Sequence, residues 1–87
     1  MNNIDTTLNE RGSRYGKFVD NANMTQMFKD IMSKSPSYSL LTNCHKESLD
    51  MIFHKISRIL NGDPNYSDSW IDIAGYAELA RKENEKI

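Results

Sequence analysis

Apolar side chains recur along the chain at the spacing of an α-helix. The first such stretch places them at i, i+3, i+4, i+7 and i+8: Met24, Met27, Phe28, Ile31 and Met32. Asn23 is a suitable N-cap. The residue before a proline is disfavoured in the helical region, so the chain should leave the helix before Pro36. The pattern therefore predicts a helix from about Asn23 to Ser33.

A second stretch predicts a longer helix that starts near Thr42 or Asn43, runs to Leu60 and ends at Asn61-Gly62. Its broad apolar face comprises Leu49, Ile52, Phe53, Ile56, Ile59 and Leu60. The opposite face carries Glu47, Asp50, His54 and Arg58.

A third helix is predicted from Asp68 to about Arg81, with Ser67 as its cap. One face holds Trp70, Ile73, Ala74, Ala77 and Ala80, and the other gathers Asp68, Asp72, Tyr76 and Leu79, flanked by Ile71 and Gly75. Because apolar or aromatic side chains occur on nearly all sides, we expect this helix to be largely buried.

The remaining segments are shorter. Residues 1–20 are expected to form a short helix over 5–11, which Gly12 ends, and then a turn. Residues 82–87 are expected to be a frayed tail. Since no stretch is rich in alternating β-branched residues, the predicted fold is a single all-α domain over 1–87. It is a small bundle with a short N-terminal helix and three main helices, of which the last two form an antiparallel hairpin.

Length and composition make this domain marginal on its own. Only 38% of its 87 residues are hydrophobic, and chains of this size bury a small share of their surface. We therefore expect a homo-oligomer or a tightly held partner. The predicted partner interface is the second semi-apolar face, around Met51, Ile71 and Leu79, with Tyr76 beside them.

Charge and cysteine content narrow the function classes. A formal net charge of −1 argues against a module that binds nucleic acid by neutralising phosphates. No window is apolar and long enough to span a membrane. The single cysteine, Cys44, cannot form an internal disulfide, which favours a reducing cytoplasm.

The predicted hairpin brings four charged residues together: Lys55, Arg58, Asp68 and Asp72. In one interpretation they form a ligand site, in which the basic pair binds phosphate oxygens, the aspartates hold a cation or hydroxyl groups, and Tyr15 or Tyr76 stacks on a base. In the other they are interhelical salt bridges. Any Mg²⁺ site would have to draw on Glu47, Asp50, Asp68 and Asp72, a weak set without a third carboxylate close to either pair.

Three segments carry a family resemblance: residues 10–16, ERGSRYG; residues 48–64, SLDMIFHKISRILNGDP; and residues 68–76, DSWIDIAGY. They resemble a small phage and prophage domain family of unknown function. More distantly, they are similar to the phage nucleotide-modification-associated domain and to MazG-type all-α nucleoside triphosphate pyrophosphohydrolases. The chain departs from the MazG pattern, because Glu47 and Asp50 give only one Glu-x-x-Asp and Asp68 and Asp72 are four residues apart.

The resemblance implies a phage-type accessory protein that binds a phosphorylated, nucleotide-like ligand without turnover. Its role would lie in the nucleotide pool or in capture of a nucleotide defence signal. If the protein is an enzyme, the resemblance implies a metal-dependent pyrophosphohydrolase-like activity, with Mg²⁺ as the cofactor. The alternative is a non-enzymatic, anti-CRISPR-like inhibitor that docks on a host defence protein through its semi-apolar face.

Overall fold

A computed structural model describes residues 3–85. Within that range the chain forms the α-helices α1 (Asn3–Tyr15), α2 (Phe18–Ser33), α3 (Asn43–Asn61) and α4 (Ser67–Glu85), with a short 3-10 helix at Tyr38–Leu40 and no strand. The all-α prediction is confirmed. None of these helices is long and apolar enough to cross a membrane.

The boundaries of α3 follow from its capping chemistry. The Thr42 hydroxyl accepts the backbone N–H of His45 (3.1 Å), and His45 Nδ1 accepts the backbone N–H of Thr42 (3.2 Å). These reciprocal bonds satisfy two donors that a helix start leaves unpaired. Because Nδ1 is an acceptor, the His45 proton lies on Nε2, which is 2.6 Å from Oδ1 of Asn84 in α4.

Helix α3 lies between α2 and α4. Phe53 packs its ring on Phe28 of α2, whereas Lys55 pairs with Asp72 of α4. Lys55 lies two positions after Phe53, so their side chains point about 200° apart around α3. Helix α4 makes the more extensive contact with α3, as the predicted hairpin requires. Helix α1 also packs on α3.

The N-terminal half differs from the prediction in helix length. Helix α1 continues through Gly12 to Tyr15, and α2 begins at Phe18 rather than near Asn23. Nothing lies within 4 Å of the position of a Cβ on Gly12, so this glycine is an ordinary helical residue that costs about 1 kcal/mol. Helix α1 ends instead at Gly16, whose φ is +83°.

Helix α4 corrects two further predictions. It continues to Glu85, so 82–85 is helical, and only 86–87 of the expected tail lie outside the described residues. The helix was also expected to be largely buried, yet Ser69 is its one buried residue in the described part, and Trp70, Ile71 and Leu79 are exposed. The physical reason is that α4 contacts substantially only α3, so a single side of it is covered.

Candidate functional site

The end of α1 lies directly against the end of α3, and a glycine on each side makes this close approach possible. A Cβ on Gly16 would lie 2.3 Å from the carbonyl oxygen of Asn61, and a Cβ on Gly62 would lie 2.3 Å from that of Arg14. The backbone N–H of Asp63 donates to the Arg14 carbonyl at 2.7 Å. Only residues without a side chain allow two backbones to approach this closely.

Two asparagines hold the same junction from the α2 side. The side-chain amide of Asn21, a buried residue, donates to the Tyr15 carbonyl at 2.7 Å. The Asn61 amide donates to Asn21 Oδ1 at 3.2 Å and to the Ser57 carbonyl at 3.0 Å. Since an unpaired buried polar group costs free energy, this network favours one position of Tyr15 relative to α3.

Tyr15 is thereby placed against the basic side of α3. The guanidinium carbon of Arg58 lies 4.4 Å from the centroid of the Tyr15 ring, within the range of a cation–π contact. Tyr66 meets the same ring edge-on, with centroids 5.8 Å apart, and Arg14 lies 5.4 Å from the Tyr66 centroid. The junction therefore carries aromatic rings alternating with guanidinium groups.

A pocket of about 580 Å³ opens beside Tyr15, between α1, the start of α2 and α3. Its lining residues are Leu8, Asn9, Arg11, Gly12, Tyr15, Gly16, Lys17, Phe18, Asn21, His54 and Arg58. Among these described residues there are three cations and no aspartate or glutamate, although the whole chain has a net charge of −1. The pocket is therefore suited to an anion.

The positive charge of this region affects His54. Burial lowers the pKa of His54 below its ordinary 6.5, and the charges of Arg58, Lys55 and Lys29 lower it further. At neutral pH the imidazole is thus uncharged and can donate or accept one hydrogen bond at the pocket wall.

The predicted ligand residues separate into two groups. Tyr15 and Arg58 line the pocket, whereas Lys55, Asp68, Asp72 and Tyr76 are not among its lining residues. Lys55 Nζ lies 3.0 Å from Asp72 Oδ2, so for this pair the structure shows the interhelical salt bridge. Asp68 accepts a hydrogen bond from the Tyr66 hydroxyl at 3.1 Å, and Tyr76 is half-buried in α4.

The candidate metal ligands do not assemble within the chain. In residues 3–85 no group of three or more His, Cys, Asp and Glu side chains is arranged to hold a metal ion. Glu47 is exposed, Asp50 is half-buried, and Asp72 is neutralised by Lys55. One oxygen of Asp50, Oδ1, is buried without a hydrogen-bond partner in this range. These residues do not form a Mg²⁺ site of the kind that the MazG resemblance implies.

Most of the pocket was missed from sequence. Arg11, Lys17, Phe18, Asn21 and His54 were not predicted to act together. The sequence does contain one signal, since Arg11, Arg14 and Lys17 follow one another at intervals of three residues around Tyr15-Gly16. The signal was not used because the predicted first helix stops at Gly12, which separates Arg11 from the two later residues.

The residues predicted for a partner interface lie away from the pocket. Met51 is half-buried on α3, whereas Ile71 and Leu79 are exposed on α4 at 63% and 58% of their surface. Docking of a host protein at these residues stays a prediction.

The fold and the pocket define a small all-α protein with an aromatic, cationic cleft. Over residues 1–84 the chain matches the family described as Domain of unknown function (DUF6378), and it belongs to that family. No curated protein and no solved structure matches it.

Proposed function

We propose that this protein binds a phosphorylated, nucleotide-like ligand in the pocket between α1 and α3. The observation that carries the proposal is the lining of that pocket: three cations and no carboxylate among the described residues, in a chain with net negative charge. A volume of about 580 Å³ falls in the range of small-molecule sites, ~300–1,000 Å³.

In this proposal the cations of the pocket bind the phosphate of the ligand, and an aromatic ring at the pocket edge stacks on its base. Arg11, Lys17 and Arg58 supply the charge and hydrogen-bond donors that phosphate oxygens require. Phe18 is 83% exposed at the pocket edge, so its ring is available to stack on a base. Arg58 is held on the Tyr15 ring, so less of its rotamer freedom is lost when it binds.

The proposal is binding without turnover. Phosphoryl transfer and pyrophosphate hydrolysis depend on groups that stabilise developing negative charge, for which metal ions are the usual means. The pocket lining offers no carboxylate among the described residues to hold a metal. Two roles follow from binding alone: service to the nucleotide pool during phage infection, or capture of a nucleotide signal of host defence.

Thermal shift and calorimetry test this proposal with adenosine, AMP, ADP, 3′,5′-cyclic AMP and inorganic phosphate as probes. A bound nucleotide at a hundred times its dissociation constant should stabilise the fold by about 2.7 kcal/mol. We expect AMP or ADP to stabilise the protein and adenosine to have little effect, because most of the binding energy comes from phosphate. Stabilisation by none of the probes would refute the proposal.

Variants locate the site. Arg58→Ala should reduce nucleotide affinity at least tenfold, since a charge-assisted hydrogen bond contributes about 1.5–3 kcal/mol. Arg81→Ala is the matched control, because it removes the same group from an exposed position on α4, where Glu78 and Glu85 pair with it. Leu79→Asp should also leave affinity unchanged. Equal losses in Arg58→Ala and Arg81→Ala would place the ligand elsewhere.

A further inference from the structure

A second cavity, an apolar groove of about 450 Å³, runs between α2 and the end of α3. It is lined by Met24, Met27, Phe28, Ile31 and Leu60, with Asp20, Asn23 and Asn61 beside them. Met27, Ile31 and Leu60 are each about two-thirds exposed. No residue of this lining is shared with the candidate ligand pocket.

The groove belongs to a chain that lacks a core of its own. In the described residues Ile59 is the one buried apolar side chain. Ile52 and Ile56, which the sequence places on the apolar face of α3, are only half-buried. Helices α1, α2 and α4 all pack on α3, yet the apolar surface between α2 and the end of α3 stays open.

The accessible surface area shows how much surface this chain leaves exposed beyond that of a compact monomer. A folded monomer of 10.0 kDa is expected to expose about 5,200 Å², whereas this chain exposes 6381 Å². The excess, about 1,200 Å², exceeds the ~800 Å² that each partner buries in a standard protein–protein interface. The radius of gyration is 14.9 Å, compared with about 12 Å expected for a compact domain of this length.

We propose that the α2–α3 groove is the interface between two copies of this chain, with Ile31 and Leu60 of each copy packed into the groove of the other. A second copy is the occupant we favour because the single chain buries too little surface to be a compact monomer. The partner that covers the groove should therefore be present whenever the chain is folded, and a second copy of the chain always is. The apolar centre with a polar edge at Asp20 and Asn23 matches an obligate interface, which resembles a domain core cut in half. Symmetric pairing of one patch with itself is the commonest arrangement.

Mass measurement tests the interface. Light scattering on the purified chain should give twice the 10.0 kDa chain mass, and Ile31→Asp should lower that mass. Leu40→Asp is the control, because Leu40 is 78% exposed but lies outside the groove. It should keep the wild-type mass. A folded wild-type monomer at 100 µM, or an Ile31→Asp variant with unchanged mass, would overturn the proposal.

If Ile31→Asp does not fold, the wild-type protein provides the second measurement. Unfolding coupled to dissociation makes the melting temperature depend on protein concentration. We expect the melting temperature to rise by several degrees from 1 to 100 µM, and a melting temperature independent of concentration would overturn the interface. Neither result depends on a nucleotide, so failure here is distinguishable from failure of the proposed ligand site.

Discussion

Gly16→Ala is the most direct test of the junction that places Tyr15 over Arg58. Two independent costs arise at this position. The φ of +83° lies in a region that costs an L-residue about 1–2 kcal/mol. In addition, the new methyl would lie 2.3 Å from the Asn61 carbonyl oxygen and 2.7 Å from its carbon. These are backbone atoms at the end of α3, which cannot move aside as a flexible side chain would.

Relief of the overlap must separate α1 from α3. Asp63 donates to the Arg14 carbonyl, and Asn21, which Asn61 of α3 holds, donates to the Tyr15 carbonyl. Both bonds, 2.7 Å long, would then lengthen or break, at about 0.5–1.5 kcal/mol each. We therefore expect Gly16→Ala to lower the free energy of unfolding by about 2–5 kcal/mol. That is a large part of the ~5–15 kcal/mol available to a small domain.

Urea denaturation followed by circular dichroism, at one fixed protein concentration, measures the change. Gly12→Ala and Gly75→Ala are the matched controls, because both glycines lie inside helices with nothing within 4 Å of a Cβ. Each should stabilise the protein by about 0.5–1 kcal/mol. Unchanged stability of Gly16→Ala, or equal destabilisation of all three variants, would refute the account of the junction.

Two further predictions concern charged groups. The pKa of His54 is lower in the folded chain than its ordinary 6.5, so the unfolded chain binds the proton more tightly and stability should fall as pH drops through 6.5. His54→Gln should flatten the stability profile between pH 7.5 and 5, as thermal melts can show, and an unchanged profile would contradict this cause. Asp72→Ala leaves the Lys55 ammonium, whose side chain is 13% exposed, without its partner. This should lower the free energy of unfolding by about 1–2 kcal/mol; the loss is limited because solvent screens the half-exposed Asp72. Adding Lys55→Met removes the unpaired charge, so the double variant should recover most of the lost stability in urea denaturation. If it does not, the loss in Asp72→Ala does not come from the Lys55–Asp72 pair.

The sequence predicted α3 most closely, because its signals are local. Thr42, His45 and Gly62 mark its ends through capping. Helix α1 is longer than predicted because it ends at Gly16 and not at Gly12, although either glycine could end a helix. What distinguishes them is the Asn61 backbone, and that contact is 45 residues away along the chain.

Burial could not be predicted from periodicity for a related reason. A helical wheel shows which side chains share a face, but not whether another helix covers that face. Trp70 was expected on the packed face of α4, yet it is 55% exposed, because α4 packs substantially on α3 alone. A helical wheel could not predict the pocket either, because its cations come from three different segments: α1, the residue before α2, and α3.

The pocket and the groove adjoin at the end of α3, where Asn61 of the groove donates to Asn21 Oδ1 of the pocket at 3.2 Å. Arg58 lines the pocket and Leu60 lines the groove, and two residues along a helix turn about 200°. Pairing of two chains through the groove therefore leaves each Arg58 pocket facing outward. Such a dimer should bind one ligand per chain. The two sites share helix α3 and are joined directly by the Asn61–Asn21 hydrogen bond.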